Sequence, residues 1–290
     1  TEDGQPETTL KAEHFIQFCN NVKNHSKDPD DKSGNTVLPP VNTSIIGCSA
    51  WAREGKKPAE ELMARLVETG VVCKRILQKQ EGAFEAAAVS YAFSKANPEA
   101  GELQGLIGSG GGSVQIMHSM RYPVNLDIGN RLCLEEMGRV YNEFEGDKLQ
   151  ALDKSFEQAE EFGRKDPGAK DELKGRIQFE LIEEKQRTAD QYPDGKDKVQ
   201  QKITGNVIAI SACYYGAKEV GMDNNDDSMN SYPAGEVVKK MREKIEEHKQ
   251  KLRDGEHENK GSRDTRFKAI ANLTLQVTLF EDLLDPDCNI

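Results

Sequence analysis

The feature of this sequence that most restricts its fold is a glycine-rich loop at residues 108–113, which read GSGGGS. An apolar segment at 103–107 leads directly into this loop. Residues 114–118 read VQIMH and alternate between two sides, as the side chains of a β-strand do at a period of two. The sequence therefore predicts a β-hairpin that carries the glycines at its tip.

A glycine-rich hairpin tip is suited to binding phosphate. It exposes consecutive backbone N–H groups where no Cβ atom blocks approach, so it can hold phosphate oxygens without a lysine. Two other phosphate-binding loops do not fit, because neither the Gly-Lys-Ser/Thr of the Walker pattern nor the G-x-G-x-x-G spacing of the dinucleotide fingerprint is present. The alternative interpretation is a plain glycine-rich hairpin that binds no ligand.

The residues before the loop predict strands and helices in alternation, as in an α/β layer. Apolar runs indicate the strands, and apolar residues at helical spacing indicate the helices. The last of these helices ends before Pro98, because a proline disfavours helical backbone in the residue that precedes it. In chain order the prediction is a helix at 10–24, a strand at 43–48, a helix at 57–69, a strand at 71–77, a helix at 81–96 and a strand at 103–107.

The second half of the chain is predicted to be mainly helical. Residues 133–199 are densely charged and carry apolar residues at helical spacing, which indicates a helical insertion with a solvated outer face. Residues 205–221 return to buried-type sequence and predict a strand that turns into a helix, and further helices follow at 233–254 and 264–284. We therefore predict a partial α/β lobe at 1–130, a charged helical insertion at 131–204 and a second lobe at 205–290.

Composition excludes several classes of protein. A length of 290 residues with 36% hydrophobic residues permits one large core or two modest ones. The formal net charge of -11 argues against nucleic-acid binding, because such a surface repels phosphate backbones. The sequence has no apolar run long enough for a transmembrane segment, and no C-x-x-C pair that would indicate a zinc site or a redox motif. The pairing of the six cysteines is left open.

The cellular location is only weakly indicated. Asn24, Asn42 and Asn272 each begin an N-x-S/T triplet, which accepts a glycan in proteins of the secretory pathway. These triplets slightly favour a secreted protein or one of the secretory-pathway lumen. A soluble intracellular protein is the alternative, because such triplets also arise by chance.

Three segments, in order, resemble a known family. Residues 47–53 read GCSAWAR, residues 80–84 read QEGAF and residues 108–116 read GSGGGSVQI. They are similar to the G-A-T-A-G-L-R, E-E-G-x-x and D-L-G-G-A-S-T-Q-I segments of the apyrases (nucleoside triphosphate diphosphohydrolases), and more loosely to exopolyphosphatases. Residues 208–215 resemble the apyrase F-S-A-F-Y-Y segment. The resemblance implies a ribonuclease-H-like, actin/hexokinase-like mixed sheet with flanking helices.

The resemblance also implies site residues and a ligand. Glu81 would be the catalytic base, although its place at a helix start is equally explained by the helix macrodipole. Gln115 would help to orient the attacking water. The ligand would be a nucleotide or polyphosphate, with a divalent cation, Mg or Ca, to offset the developing charge. The resemblance assigns phosphate binding to Ser49, Gly110, Gly111, Gly112 and Ser113.

The sequence departs from the family at three places that bear on activity. The metal-organising aspartate at the start of the loop is Gly108 here, and the paired carboxylates before the helix have become Gln80 and Glu81. The family's first phosphate loop, D-x-G-S-x-G-x-R, has no counterpart in residues 1–9, so another chain or fragment could supply it. Two functions follow as hypotheses: a metal-dependent phosphohydrolase, or a catalytically degenerate subunit with a structural or partner-binding role in a larger assembly. His118 is either a ligand near the loop or a packed side chain.

Overall fold

The structure is a computed structural model, and it describes residues 17, 45–47, 57–68, 73–76, 78–96, 98–99, 101–164, 175–222, 231–255 and 260–290. The chain divides into two compact units, Thr1–Gln78 and Lys79–Ile290. Of the helix predicted at 10–24, only Gln17 is described, and it is helical. Ser49 and most of the apyrase-like segment at 47–53 lie outside the described residues.

The first unit contains a small parallel sheet. Strand β1 (Ile45–Gly47) pairs with strand β2 (Cys73–Arg75), and helix α1 (Lys57–Glu68) connects them in sequence. Parallel strands need such a crossover, because a tight turn can only return the chain antiparallel. The strands predicted at 43–48 and 71–77 and the helix predicted at 57–69 are confirmed within these shorter bounds.

The second unit contains a four-stranded mixed sheet in the order β5-β4-β3-β6. Strands β3 and β4 are antiparallel, with Ser109 opposite Val114, so residues 110–113 form the tip of a hairpin. The predicted hairpin is therefore confirmed. Strand β6 runs parallel to β3 and comes from the segment predicted as a strand at 205–221. The bounds are β3 (Leu103–Ser109), β4 (Val114–His118), β5 (Tyr122–Leu126) and β6 (Asn206–Ser211).

Helices cover both faces of this sheet. On one face, helix α2 (Gln78–Ala96) places Ala86 against Leu106 and Met117. The opposite face packs into a larger core with side chains from most of the remaining helices. These helices are α3 (Asn130–Glu143), α4 (Lys148–Gly163), α5 (Arg176–Gln191), the short α6 (Lys196–Gln200), α7 (Ala212–Glu219), α8 (Ala234–Arg253) and α9 (Lys260–Leu283).

The charged region at 131–204 forms helices with an apolar inner face and a charged outer face. Leu152 and Phe156, one turn apart on α4, are buried in the same core as Ile107 of β3. Outer side chains form exposed ion pairs along one helix, such as Arg139 with Glu143 at 2.9 Å. The boundary between the compact units falls after residue 78. These helices and β6 share the core of strands β3–β5. The predicted division at residues 130 and 204 stays a prediction.

The structure also describes three of the cysteines, one of the asparagines in an N-x-S/T triplet and the lengths of the helices. Cys133, Cys213 and Cys288 are buried free thiols, and burial raises the pKa of the Cys133 thiol to about 12. The side-chain amide of Asn272 donates to the carbonyl of Ala212 at 3.3 Å within the folded protein. None of the described helices is long and apolar enough to cross a bilayer. Asn24 and Asn42 lie outside the described residues.

Candidate functional site

The tip of the β3–β4 hairpin is a tight loop with free amides. The N–H of Gly110 donates to the carbonyl of Ser113 at 2.9 Å and so closes the loop. The Gly110 amide is thus used within the loop, and the phosphate-binding role of Gly110 stays a prediction. Over the described residues, the N–H groups of Gly111, Gly112 and Ser113 have no backbone acceptor, and the tip at Gly111 is exposed. Consecutive backbone N–H groups at such a turn can bind anions.

The loop is braced by the start of helix α3. The N–H of Arg131 donates to the carbonyl of Gly111 at 3.0 Å. A Cβ atom placed on Gly129 would overlap the carbonyl oxygen of Gly110 and lie 2.6 Å from that of Gly111. Gly129 thus lets two stretches of backbone come into contact. Sequence analysis missed this residue, because nothing near it in the sequence indicates which segment it meets.

A hydrogen-bonded chain connects the loop to helix α2. The side-chain Nε2 of Gln115 donates to Ser113 Oγ at 3.0 Å and to Glu81 Oε2 at 3.3 Å. Gln115 is buried, with only 6% of its surface exposed. Both hydrogen bonds of its side-chain amide therefore form in a buried setting. Gly82, also buried, lies beside Gln115 and places the first turn of α2 against β4. The structure therefore brings together Glu81, Gln115 and Ser113, which the sequence assigned to one site.

A second carboxyl group, which sequence analysis missed, lies one helical turn after Glu81. A Cβ atom placed on Gly108 would lie 2.9 Å from Glu85 Oε2, so the glutamate reaches the start of the glycine loop. Glu85 Oε2 is buried and has no hydrogen-bond partner among the described residues. Burial, and then the charge of Glu81, raise the pKa of the Glu85 carboxyl. The spacing of four residues from Glu81 could have indicated a shared helix face, but not that this face meets Gly108.

His118 lies at the far end of β4 from the loop. Its ring nitrogens are within 3.0 Å of Ser119 Oγ and 3.2 Å of the carbonyl of Gln201. The side chain is buried, and burial lowers its pKa. Of the two interpretations of His118, the packed side chain therefore fits the structure.

The turn from β6 to α7 lies beside the end of β3. Ser211 pairs with Ser109 in the sheet register and is exposed, with a φ of 62°. A non-glycine residue in this left-handed region stores strain of a kind that concentrates at functional sites. A groove of about 620 Å³ begins at Gly111 and passes this turn, lined also by Arg131, Tyr215 and Lys268. The charged side chains in its lining are Arg131, Lys268 and Glu219, so two cations and one carboxylate would face a ligand there.

The acidic side chains near the loop could hold a cation only with help from a ligand. No group of three or more His, Cys, Asp or Glu side chains that could hold a metal occurs among the residues with described positions. Magnesium, however, commonly takes one or two protein carboxylates and fills its remaining positions with water and phosphate oxygens. The buried, unpartnered oxygen of Glu85 fits that pattern of binding.

Comparison with known proteins supports the fold. In sequence, the chain matches no protein-family model and no curated protein. It resembles the crystal structure of the Aquifex aeolicus member of the Ppx/GppA protein family, with a TM-score of 0.51 and 18% identity over 95% of this chain and 78% of that one. It is also similar to the type II variant of the Aquifex aeolicus Ppx/GppA phosphatase, with a TM-score of 0.48 and 17% identity over 95% of this chain and 79% of that one.

The likeness to the first of these structures concerns the fold alone, because only 18% of the aligned residues are identical. It confirms the predicted α/β fold, a mixed sheet with flanking helices, which this chain shares with that Ppx/GppA family member. The narrower prediction, a relation to apyrases in particular, is not tested by this likeness.

Proposed function

We propose that this chain is an apyrase-like or exopolyphosphatase-like phosphohydrolase, which directs water at the terminal phosphate of a nucleotide or of polyphosphate. The observation that carries this proposal is the buried side chain of Gln115, which donates to both Glu81 and Ser113. This contact places the Glu81 carboxylate one side chain away from the loop, in which the N–H groups of Gly111, Gly112 and Ser113 have no backbone acceptor among the described residues. An anion-binding loop, a base and a group that fixes their separation are the parts that phosphoryl transfer to water needs.

Each residue has a distinct role in this proposal. The amides of Gly111, Gly112 and Ser113 hold the terminal phosphate and stabilise the negative charge that builds on its oxygens. Glu81 accepts a proton from the attacking water. The amide of Gln115 orients that water and keeps Glu81 directed at the loop. Ser49, which lies outside the described residues, remains a predicted phosphate ligand.

A divalent cation, Mg²⁺ or Ca²⁺, completes the proposal. When bound, it neutralises phosphate charge and draws electron density away from the bond that breaks. The groove beside Gly111 would accept the remainder of the substrate, and the side chains of Arg131 and Lys268 would attract its phosphates. Both a nucleotide and polyphosphate meet this requirement, because both extend a chain of phosphates away from the loop.

The second candidate function is a catalytically degenerate subunit with a structural or partner-binding role in a larger assembly. Gly108 favours it, because the resemblance places a metal-organising aspartate at this position. A further chain or fragment that supplies the first phosphate loop is compatible with either function. The two functions differ in one measurable respect, which is whether inorganic phosphate is released.

Phosphate release from ATP, ADP and polyphosphate, measured with the purified chain and Mg²⁺, tests the proposal. We expect release from at least one substrate, its fall to the protein-free rate on adding EDTA, and its return with excess Mg²⁺. This loss follows because the amides alone do not neutralise a terminal phosphate. Binding of a substrate without release would contradict the hydrolase and favour the degenerate subunit. Neither binding nor release would contradict the hydrolase and leave only the structural or partner-binding role.

A further inference from the structure

A side chain from helix α2 occupies the space beside Gly108 where the side chain of any other residue would lie. Strand β3 presents Gly108 on the face of the sheet that α2 covers, directly across from Gln115 on β4. A side chain at position 108 would begin 2.9 Å from Glu85 Oε2. The Glu85 carboxyl therefore occupies the space that the side chain of a non-glycine residue at 108 would need.

The Glu85 carboxyl is also incompletely satisfied. Its Oε2 is buried and receives no hydrogen bond from the part of the chain that the structure describes, although an unpaired buried oxygen is costly and usually finds a donor. The charge of the neighbouring Glu81 raises the pKa of the Glu85 carboxyl further, so Glu81 offers no compensation. A cation adjacent to this oxygen would offset both the burial and the repulsion.

We propose that Glu85 supplies from helix α2 the cation-organising carboxylate that the glycine loop lacks at position 108. This inference rests on the proposed function above, since it deepens the account of the divalent cation. Exchange of a carboxylate between two elements is chemically reasonable, because a hard divalent cation requires oxygen ligands of suitable charge and imposes no condition on which element carries them. Glu85 then acts on the cation, while Glu81 remains the base.

Binding of Mn²⁺ to the full chain, followed by electron paramagnetic resonance in the presence of pyrophosphate, tests this inference without any measurement of activity. We expect Glu85→Gln to weaken Mn²⁺ binding at least about tenfold, because it removes a charged ligand and keeps the size of the side chain. Glu102→Gln, which alters an exposed carboxyl just before β3, is the matched control and should bind as the unaltered chain does.

Moving the carboxylate from position 85 to position 108 makes the test specific to position 108. Gly108→Asp alone should perturb the fold, because its side chain would meet Glu85. Gly108→Asp combined with Glu85→Ala should fold, as judged by circular dichroism, and should recover most of the Mn²⁺ affinity that Glu85→Ala alone loses. Recovery supports the inference. Unchanged binding in Glu85→Gln, or a folded double variant that recovers nothing, would overturn it.

The same measurements separate this inference from the proposed function. Mn²⁺ binding that depends on Glu85, in a chain that releases no phosphate, would leave the inference standing and remove the hydrolase. Phosphate release, together with Mn²⁺ binding that Glu85→Gln does not weaken, would reject the inference and leave the hydrolase standing. Absence of Mn²⁺ binding by the unaltered chain would reject the role of Glu85 directly.

Discussion

Replacement of Glu81 with glutamine is expected to lower kcat for phosphate release at least about 100-fold, because a positioned general base contributes roughly 10²–10⁴-fold to a rate. The change removes the proton acceptor and preserves the shape of the side chain. The new amide oxygen can still accept from Gln115, which keeps the loop and α2 connected. Steady-state phosphate release over a range of substrate concentrations separates kcat from KM.

The Glu81 prediction requires KM to change little. In the proposed function, the loop amides and the cation bind the substrate before it reacts, and Glu81 does not. Glu102→Gln serves again as the control, since this exposed carboxyl lies outside the site. An equal fall in both variants would point to a general effect of charge. A normal kcat in Glu81→Gln would contradict the assignment of Glu81 as the base.

Gly129→Ala is expected to lower the free energy of unfolding by about 1–3 kcal/mol and to displace the glycine loop. The added methyl group would overlap backbone atoms of Gly110 and Gly111, which cannot rotate away as a flexible side chain can. The loop must therefore move, and its affinity for phosphate ligands should fall with the loss of its present geometry. Urea unfolding measures the first effect, and isothermal titration with pyrophosphate and Mg²⁺ measures the second.

Gly138→Ala is the matched control for Gly129→Ala. Gly138 lies within the same helix α3, and a Cβ atom there would meet nothing within 4 Å. Alanine in a helix interior is about 0.5–1 kcal/mol more favourable than glycine, so this variant should be slightly more stable than the unaltered chain. If both variants were equally stable, the close packing of Gly129 against the loop would be refuted.

The local elements of the second unit could be predicted from sequence because their signals are local. The alternation after the glycine loop predicts β4, and the buried-type segment after residue 205 predicts β6 followed by α7. Strand β5 was missed. Its Pro123 disfavours a central strand, but β5 lies at the sheet edge, where a missing N–H is tolerated. The turn before it contains Ser119 and Met120 at positive φ, so no glycine marks it.

Which residues of the candidate site lie together was predictable only where the resemblance supplied them. Glu81, Gln115 and Ser113 belong to the segments that resemble apyrases, and they do meet. Glu85 and Gly129 have no such signal, because their importance depends on which distant backbone they face. The backbone that Glu85 or Gly129 faces lies far from it in sequence, and only the packing of the folded chain shows that the two meet.

The most direct measurement of the central claim is a two-dimensional NMR spectrum of the chain labelled with ¹⁵N in glycine and serine, titrated with pyrophosphate and Mg²⁺. If the loop amides bind phosphate, the resonances of Gly111, Gly112 and Ser113 should move most. The resonance of Gly110 should move less, because its N–H is already bonded to Ser113. Changes confined to resonances of other glycines and serines, or no change at saturating ligand, would contradict the claim that this loop is a phosphate-binding site.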